Sequence, residues 1–396
     1  MDYGPDRILR LLQLGQWERV LSSRDVWLCL GCEMCGAHCP NDIDVGEVMI
    51  GLRTMAAEAG YRREDCEELR EKLRRGLQQA DPQTPVETPS LSVDDRLCAG
   101  IGRLNTLSDT IAGSHNVSGD DNDERLIWTE NLARVPEGLA GQGGADLVYF
   151  VGCVGAFFPR SYRVPQALTR VLEAAGEDFT TLGGEEWCCG YPLLALGERD
   201  QAERMALHNA EQLAALEAKT LVTTCPSCYH MWKHIYPELL GGEPGVEVVH
   251  ASELLAALID AGRIPMGELS LQVTYHDPCD LGRKGGVYEA PRRVLRAIPG
   301  VSLVEMSGSG QISECCGGGG NVESFDPDAV SQVAIHRVDR AVEVAADMIV
   351  SGCQQCERTL MGAVRRHREA RKARMRVVDI TELVLQAVEA GVGEGA

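Results

Sequence analysis

The chain has 396 residues, and 38 Lys+Arg against 59 Asp+Glu give a net charge of −21. An excess of that sign repels phosphate backbones and anionic lipid, which sets nucleic-acid binding aside. Hydrophobic residues make up 44%, enough for a packed core in two or three domains and too much for a chain disordered throughout. The longest apolar run, LVYFVGCVGAFF at 147–158, is too short to span a bilayer, and the opening MDYGPDRILRLLQL is too charged for a secretion signal. A cytoplasmic location is expected.

In chain order, 7–28 carries the spacing of an amphipathic helix, followed by a helical pattern at 45–59 and a charged one at 62–79. Residues 80–125, rich in Asp, Ser, Pro, Gly and Thr, read as a linker with little core material, and a Gly-rich break ends at Asp146. Short apolar runs then alternate with helical segments. Strands are expected at 147–152, 221–224, 246–249, 271–276, 301–305 and 348–351. Helices are expected at 163–175, 201–217, 228–238, 252–261, 290–297, 328–346 and 354–370. That alternation points to α/β layers with mainly parallel sheets.

Sixteen cysteines dominate the reading. Without a secretion signal they point to metal or redox chemistry rather than disulfides. Cys29, Cys32, Cys35 and Cys39 form one group. Cys153, Cys188, Cys189, Cys225 and Cys228 form a second, which recurs as Cys279, Cys315, Cys316, Cys353 and Cys356 at offsets of 126, 127 and 128 residues. Near-constant register over five positions marks an internal duplication.

The first group, CLGCEMCGAHCP, places three thiolates on one tight loop, suited to three iron corners of a cubane [4Fe-4S] cluster. Zinc prefers two separated knuckles, and the second is missing. In two-cluster ferredoxins the cysteine before Pro serves the other cluster. The fourth ligand therefore stays open among Cys39, a folded-back Cys66 or Cys98, and a partner protein. Cys66 reads best as an ordinary half-buried thiol, and Cys98 is kept as an extra candidate ligand.

In each five-thiol set two cysteines are adjacent. Neighbouring side chains diverge, which suits a multinuclear cluster better than one ion. Five thiolates exceed the four corners of a cubane, so the set predicts a non-cubane cluster or a reactive cysteine. Gly152, Gly190 and Gly317–Gly320 let backbone approach sulfide and offer N–H groups to sulfur. Gly190, Gly317 and Gly318 are thus candidate cofactor-binding positions. A phosphate loop would need Lys-Ser/Thr at Walker spacing or a GxGxxG opening a helix, and CCGGGG has neither.

The segments YFVGC, EEWCCGYPLLALG and TTCPSC, then YHDPCDLGR, ECCGGGG and SGCQQC, resemble the paired cysteine-rich CCG domains of the B- and D-type subunits of heterodisulfide reductase. VLSSRDVWLCLGCEMCGAHCPNDIDV resembles the second cluster motif of the C-type subunit, so the arrangement is similar to the fused, D-type form. The resemblance covers about 20–60 and 146–370. It implies duplicated α/β CCG domains at 146–262 and 263–396, two pseudo-symmetric lobes. Ahead of them would come a small, mainly α-helical ferredoxin-like domain at 1–79 and a connector at 80–145. It also implies one cubane and two non-cubane [4Fe-4S] clusters, each five-cysteine set holding one of the latter, with a disulfide cleaved between them. Two departures stand out: the family's first ferredoxin motif is absent, and the second copy ends CQQC where the first has CPSC.

Among other residues, His276, three before Cys279, is a candidate proton carrier, although Phe150 holds the equivalent place in copy one. His230 and His234 share a helix face without a zinc-protease glutamate, and His38 reads as structural. Arg283 and Arg293 are expected to pair with acids, and Trp187 to shield a cluster. No flavin or nicotinamide fingerprint is present, so a flavoprotein partner similar to the A-type subunit of heterodisulfide reductase is implied. The chief expectation is a disulfide reductase-like catalytic subunit. The alternative is a pure electron-transfer subunit for a flavin 2-hydroxy-acid or glycerol-phosphate dehydrogenase, or for a benzoyl-CoA-type reductase. A zinc-rich scaffold fits the paired CC-G motifs poorly.

Overall fold

The run LVYF has no charged side chain, and it forms a strand buried on both faces, β1 (Leu147–Phe150). Such a strand needs partners on both edges and helices on both faces, the setting of a parallel sheet. β1 pairs in parallel with β2 (Phe179–Thr181) and β3 (Thr220–Thr223), and β3 pairs with β4 (Glu247–His250). The second sheet repeats this with β5 (Leu271–His276), β6 (Val301–Leu303), β7 (Met348–Ser351) and β8 (Arg376–Asp379). The orders are β2-β1-β3-β4 and β6-β5-β7-β8. The duplication visible in the cysteine offsets is therefore a duplication of topology, and the parallel α/β lobes are as expected. The computed structural model describes residues 4–62, 68, 71, 75 and 95–393.

The lobes share one core. Helix Arg163–Ala175, which follows β1, packs on helix Ile380–Gly393, which follows β8. Helix Ala251–Asp260, after β4, packs on helix Glu289–Ala297, after β5. These are reciprocal pairings: the long helix between the first two strands of each lobe meets the last helix of the other. Tyr149 and Val222 of one sheet join Val273, Tyr275 and Val350 of the other in the same buried cluster. The carboxyl ends of the central strands β1, β3, β5 and β7 consequently lie near the lobe–lobe boundary.

The structure departs from the expected elements in several places. The helix expected over 7–28 is broken into Pro5–Gln13, Trp17–Leu21 and a 3₁₀ turn at Arg24–Val26, with Gly15 at φ 71° between the first two. The helix expected at 228–238 is Pro226–His230 and Tyr236–Leu240 joined by a π-helical turn. Strands β2 and β8 went unforeseen. The charged helix expected at 62–79 lies mostly outside the described residues. Residues 95–114, read as linker, form a 20-residue helix. Its Leu97, Ile101 and Leu104 join Val26, Trp27, Met49 and Leu52 from the N-terminal helices and Leu196, Val322 and Phe325 from the lobes. The helices before the lobes thus pack on both of them. No helix among the described residues is long and apolar enough to cross a membrane.

Candidate metal centre

Each thiol set collects at the carboxyl ends of its parallel strands, where α/β sheets leave a crevice. Cys153 follows β1, Cys225 follows β3, Cys279 follows β5 and Cys353 follows β7. The adjacent pairs come from loops on the neighbouring strands, and in both a left-handed glycine follows. Gly190 has φ 87° and Gly317 φ 93°, and a Cβ on Gly317 would stand 2.9 Å from the Val330 carbonyl oxygen. Glycine is required there because L side chains rarely hold that conformation.

Within the first set, hydrogen bonds run thiol to thiol from Cys153 to Cys188, Cys189, Cys228 and Cys225. The second set repeats the order: Cys279, Cys315, Cys316, Cys356, Cys353. All ten sequence-selected thiols are thus brought into two five-membered groups. In each, the second cysteine of the adjacent pair sits at the centre and accepts from both neighbours. Those bonds stabilise the thiolate: the Cys188 and Cys228 thiols hold Cys189 down at about 6, and Cys316 is pulled well below the ordinary thiol value chiefly by Cys315. Backbone N–H groups of Gly317 and Gly318 donate to the Cys315 and Cys316 sulfurs at 3.3 and 3.4 Å. Converging thiols with glycine N–H donors to sulfur make a donor set that fits a multinuclear iron–sulfur group.

The sets face each other. Gln354, beside Cys353, donates to Thr224 Oγ1, beside Cys225, and Thr224 Oγ1 lies 2.9 Å from the Tyr149 hydroxyl. Cys353 also feels the Cys225 charge. A cavity of about 380 Å³ opens beside the first set, walled by Cys153, Cys188, Cys189, Cys225 and Cys228, with Gly318–Gly320 of the second lobe opposite.

His276 is fully buried at the end of β5 and touches the second set. Its Nδ1 accepts from Arg337 Nε at 3.1 Å, which leaves the proton of a neutral ring on Nε2. The ring also hydrogen-bonds the Cys316 thiol, and burial holds its pKa down. His276, Cys316 and Cys356 place ligand atoms within 4.8 Å of one another.

The N-terminal loop docks on this second set. Cys32 hydrogen-bonds Cys315, which lowers the Cys32 thiol to about 6. Cys35 is exposed and lies close to Cys29 and Cys32; Cys39 is half-buried. The buried Arg53 guanidinium ties the loop down, donating to the carbonyls of Val26, Trp27 and Cys29 and to those of Ala195 and Gly320 in the two lobes. Cys98, kept as an extra candidate ligand, is half-buried on helix Asp95–Ser114, which packs into the N-terminal core. Cys66 lies outside the described residues.

Arg283 departs from expectation: it donates to the backbone carbonyls of Cys32, Gln311 and Ser313, clamping the loop to the second lobe rather than meeting an acid. Arg293 pairs with Asp260 as expected. Trp187, beside Cys188, is sandwiched between His115 and His208 at ring separations of 3.5 and 3.6 Å. His230 is half-buried and His234 exposed, and His38 is exposed.

Three features escaped the sequence reading. Arg125 and Glu186, each 1% exposed, form a 2.7 Å ion pair beside Cys153, and Glu186 also accepts from the Val151 and Gly152 amides. Arg337 orients His276. Lys284 is buried between Asp280 Oδ1, at 2.8 Å, and the Tyr191 ring. Arg125 lies in the acidic run DDNDER, where nothing marks it as buried.

The cysteine-rich CCG domain family matches twice, over residues 147–233 and 273–361. The D subunit of the dihydromethanophenazine:CoB–CoM heterodisulfide reductase of Methanosarcina mazei is 34% identical over 368 residues, 92% of this chain and 78% of that protein. The same subunit of Methanosarcina barkeri is 38% identical over 291 residues, 72% of this chain and 68% of that protein. The EtfAB:quinone oxidoreductase of Syntrophomonas wolfei is 28% identical over 93% of this chain but only 47% of its own length. Doubled CCG domains, two complete thiol sets and identity over nearly the whole length place the chain in the D-type heterodisulfide reductase family of iron–sulfur oxidoreductase subunits.

Proposed function

We propose that this chain is the disulfide-reducing subunit of a heterodisulfide reductase-like complex. In this reading each five-thiol set holds a non-cubane [4Fe-4S] cluster, and Cys29, Cys32 and Cys35, with Cys39 as the local fourth candidate, hold a cubane. The reaction is R–S–S–R′ + 2 e⁻ + 2 H⁺ → RSH + R′SH, with both electrons drawn from a flavoprotein partner; the reverse oxidation uses the same site. When bound, the clusters supply one-electron storage beside the disulfide. The chain's residues do the rest. The two thiol sets hold their groups across the lobe boundary, fixed by the Gln354–Thr224 bridge. His276 keeps a proton on Nε2 beside Cys316, and the Trp187 stack keeps water from Cys188.

The observation that carries this reading is the repetition of one thiol order in two facing sets. Iron and acid-labile sulfide analysis of anaerobically prepared protein tests it. Roughly twelve irons per chain, three clusters of four, are expected; about four would sink the proposal. The Syntrophomonas relative motivates a second reading, a pure electron-transfer subunit that serves a flavin dehydrogenase or an acyl-CoA reductase and has no substrate of its own. A new paramagnetic signal on adding disulfides to the reduced protein favours the first reading. Silence towards disulfides with fast electron exchange favours the second.

A further inference from the structure

Cys153 opens the first thiol set, and two donors from the segment ahead of the lobe reach its sulfur. The Val117 amide hydrogen-bonds it, and Arg125 Nη2 donates to it at 3.8 Å. The His115 carbonyl accepts from the Cys188 amide at 2.7 Å. Residues 115–125, read from composition as linker, therefore wall the first set, much as the N-terminal loop walls the second through Cys32 and Cys315.

Arg125 is held for this contact. Its Nη1 donates to Glu186 Oε1, its Nη2 also to Asn122 Oδ1 at 3.3 Å, and its guanidinium carbon lies 5.1 Å from the Phe157 ring centroid. Glu186 is pinned in turn by the Val151 and Gly152 amides, the two residues that lead into Cys153. An ion pair buried this completely adds little net stability, because desolvation offsets the Coulomb gain. Arg125 Nε–H, buried with no acceptor among the described residues, adds to the cost. What the arrangement provides is a fixed, charged donor on a candidate ligand sulfur.

The equivalent thiol of the second set, Cys279, meets the opposite end of an ion pair. Its sulfur lies 4.0 Å from Asp280 Oδ1, which also accepts from Lys284 Nζ at 2.8 Å. Both pairs are neutral as wholes, so the difference is orientation: a guanidinium faces Cys153, and a carboxylate oxygen faces Cys279. A cationic donor on a ligand sulfur favours the electron-rich state of a cluster, and a carboxylate disfavours it. We infer that Arg125 is a positioning residue for the first cluster site. Acting through Cys153, it raises the potential there above that of the second site, so electrons arriving by the N-terminal loop and the second set come to rest at the first. The inference rests on the proposed cluster at each set and adds the order in which the two fill.

Anaerobic redox titration of the cluster-loaded chain, followed by its paramagnetic signals, is the test. Cys153→Ser marks the first site: the signal it alters or removes belongs there. In the unmodified protein that signal is expected to titrate at the higher potential. Arg125→Gln/Glu186→Gln removes the charged donor without stranding a buried carboxylate. At unchanged poise the ratio of reduced to oxidised first cluster should then fall about tenfold, about 59 mV for one electron, the scale of one charge-assisted hydrogen bond. The other signal should stay. Arg125→Lys keeps a cation against Glu186 but lacks the fork that also reaches sulfur, and should shift the first signal the same way by about threefold; this milder change decides the matter where the double variant loads no cluster. A first-site potential at or below that of the second, an equal shift of both signals, or an unmoved first signal in a variant of unaltered iron content overturns the inference and leaves the cluster placement standing. About four irons in the unmodified protein, instead of about twelve, overturns the placement and the inference with it.

Discussion

The Cys32 and Cys315 thiols are hydrogen-bonded, so the N-terminal cysteine loop and the second five-thiol set share one sulfur wall. The N-terminal loop therefore sits against the second set, which in turn faces the first across the lobe boundary. Arg283 clamps the contact through the Cys32 and Ser313 carbonyls. Cys32→Ser is expected to remove roughly one four-iron cluster's worth of metal and to leave the far-ultraviolet circular dichroism of the lobes unchanged. Iron analysis reads it, and an unaltered iron content would place Cys32 outside the cluster ligands.

Lys284 carries a buried positive charge where three cysteine groups meet. It is paired to Asp280, next to Cys279, and stacked on Tyr191, two residues after Cys189; a Cβ on Gly31 of the N-terminal loop would stand 4.0 Å from its ammonium nitrogen. A fixed cation favours the reduced state of nearby redox groups. Lys284→Met should lower their midpoint potentials by on the order of 50–100 mV, the Coulomb energy of one charge several ångströms away at an effective dielectric near 20. Adding Asp280→Asn restores net charge and should recover most of the shift. Anaerobic redox titration of the paramagnetic signals measures both variants, and unmoved potentials would assign Lys284 to packing alone.

Much of this arrangement was legible from residue spacing, for identifiable reasons. LVYF and MIVS are continuous apolar runs that only a doubly covered strand accommodates. The cysteine offsets carried the duplication because loop lengths between thiols hardly differ between copies. β2 was hidden because FTT has three residues and gains its burial from tertiary neighbours. In 95–114 the apolar spacing of Leu97, Ile101, Leu104 and Ile111 was present, but Gly, Ser and Thr around it gave the composition of a linker. The ion pair Arg125–Glu186 and the buried Lys284 were unreadable, since charge burial depends on partners distant in sequence. The docking of the N-terminal loop on the second set rather than the first had no local signal at all.

His250 supplies a pH-dependent element at the boundary between the two lobes. It caps helix Ala251–Asp260: its Nδ1 accepts from the Ser252 amide at 3.1 Å while Glu253 accepts from the His250 amide. It also lies against the Tyr229 ring and, in the other lobe, Gly352. Burial pushes its pKa down to about 4, against about 6.5 in an unfolded chain. Between these values the unfolded state binds more protons, so folding stability is full above pH 6.5 and falls as pH drops towards 4. The loss attributable to this group is on the order of 2–3 kcal/mol. His250→Asn keeps a cap acceptor without the titration and should flatten that limb of the stability profile. Denaturant unfolding from pH 4 to pH 7 checks this; identical slopes for both proteins would remove His250 as the cause.

The four-glycine run after Cys316 has a use beyond the thiols. A Cβ on Gly319 would lie 2.7 Å from the Leu30 carbonyl oxygen, and one on Gly320, at φ 62°, would run into the Cys29 carbonyl. Both carbonyls belong to the N-terminal cysteine loop, so these glycines let the loop settle against the second lobe. Gly319→Ala should cost about 1–3 kcal/mol, concentrated at that contact, because the obstructing atoms are backbone and cannot swing aside. Hydrogen exchange should rise at residues 29–32 while β5 and β7 stay protected, since their pairing does not involve the loop. Gly362 is the control: it sits in helix Gln354–Arg366, where an added methyl group would meet nothing within 4 Å, and Gly362→Ala should gain about 0.5–1 kcal/mol from helix propensity. If Gly319→Ala raises exchange equally across the second lobe, the glycine run serves the lobe's own fold; if only the loop loosens, it is the seat on which the N-terminal cysteines are held beside Cys315.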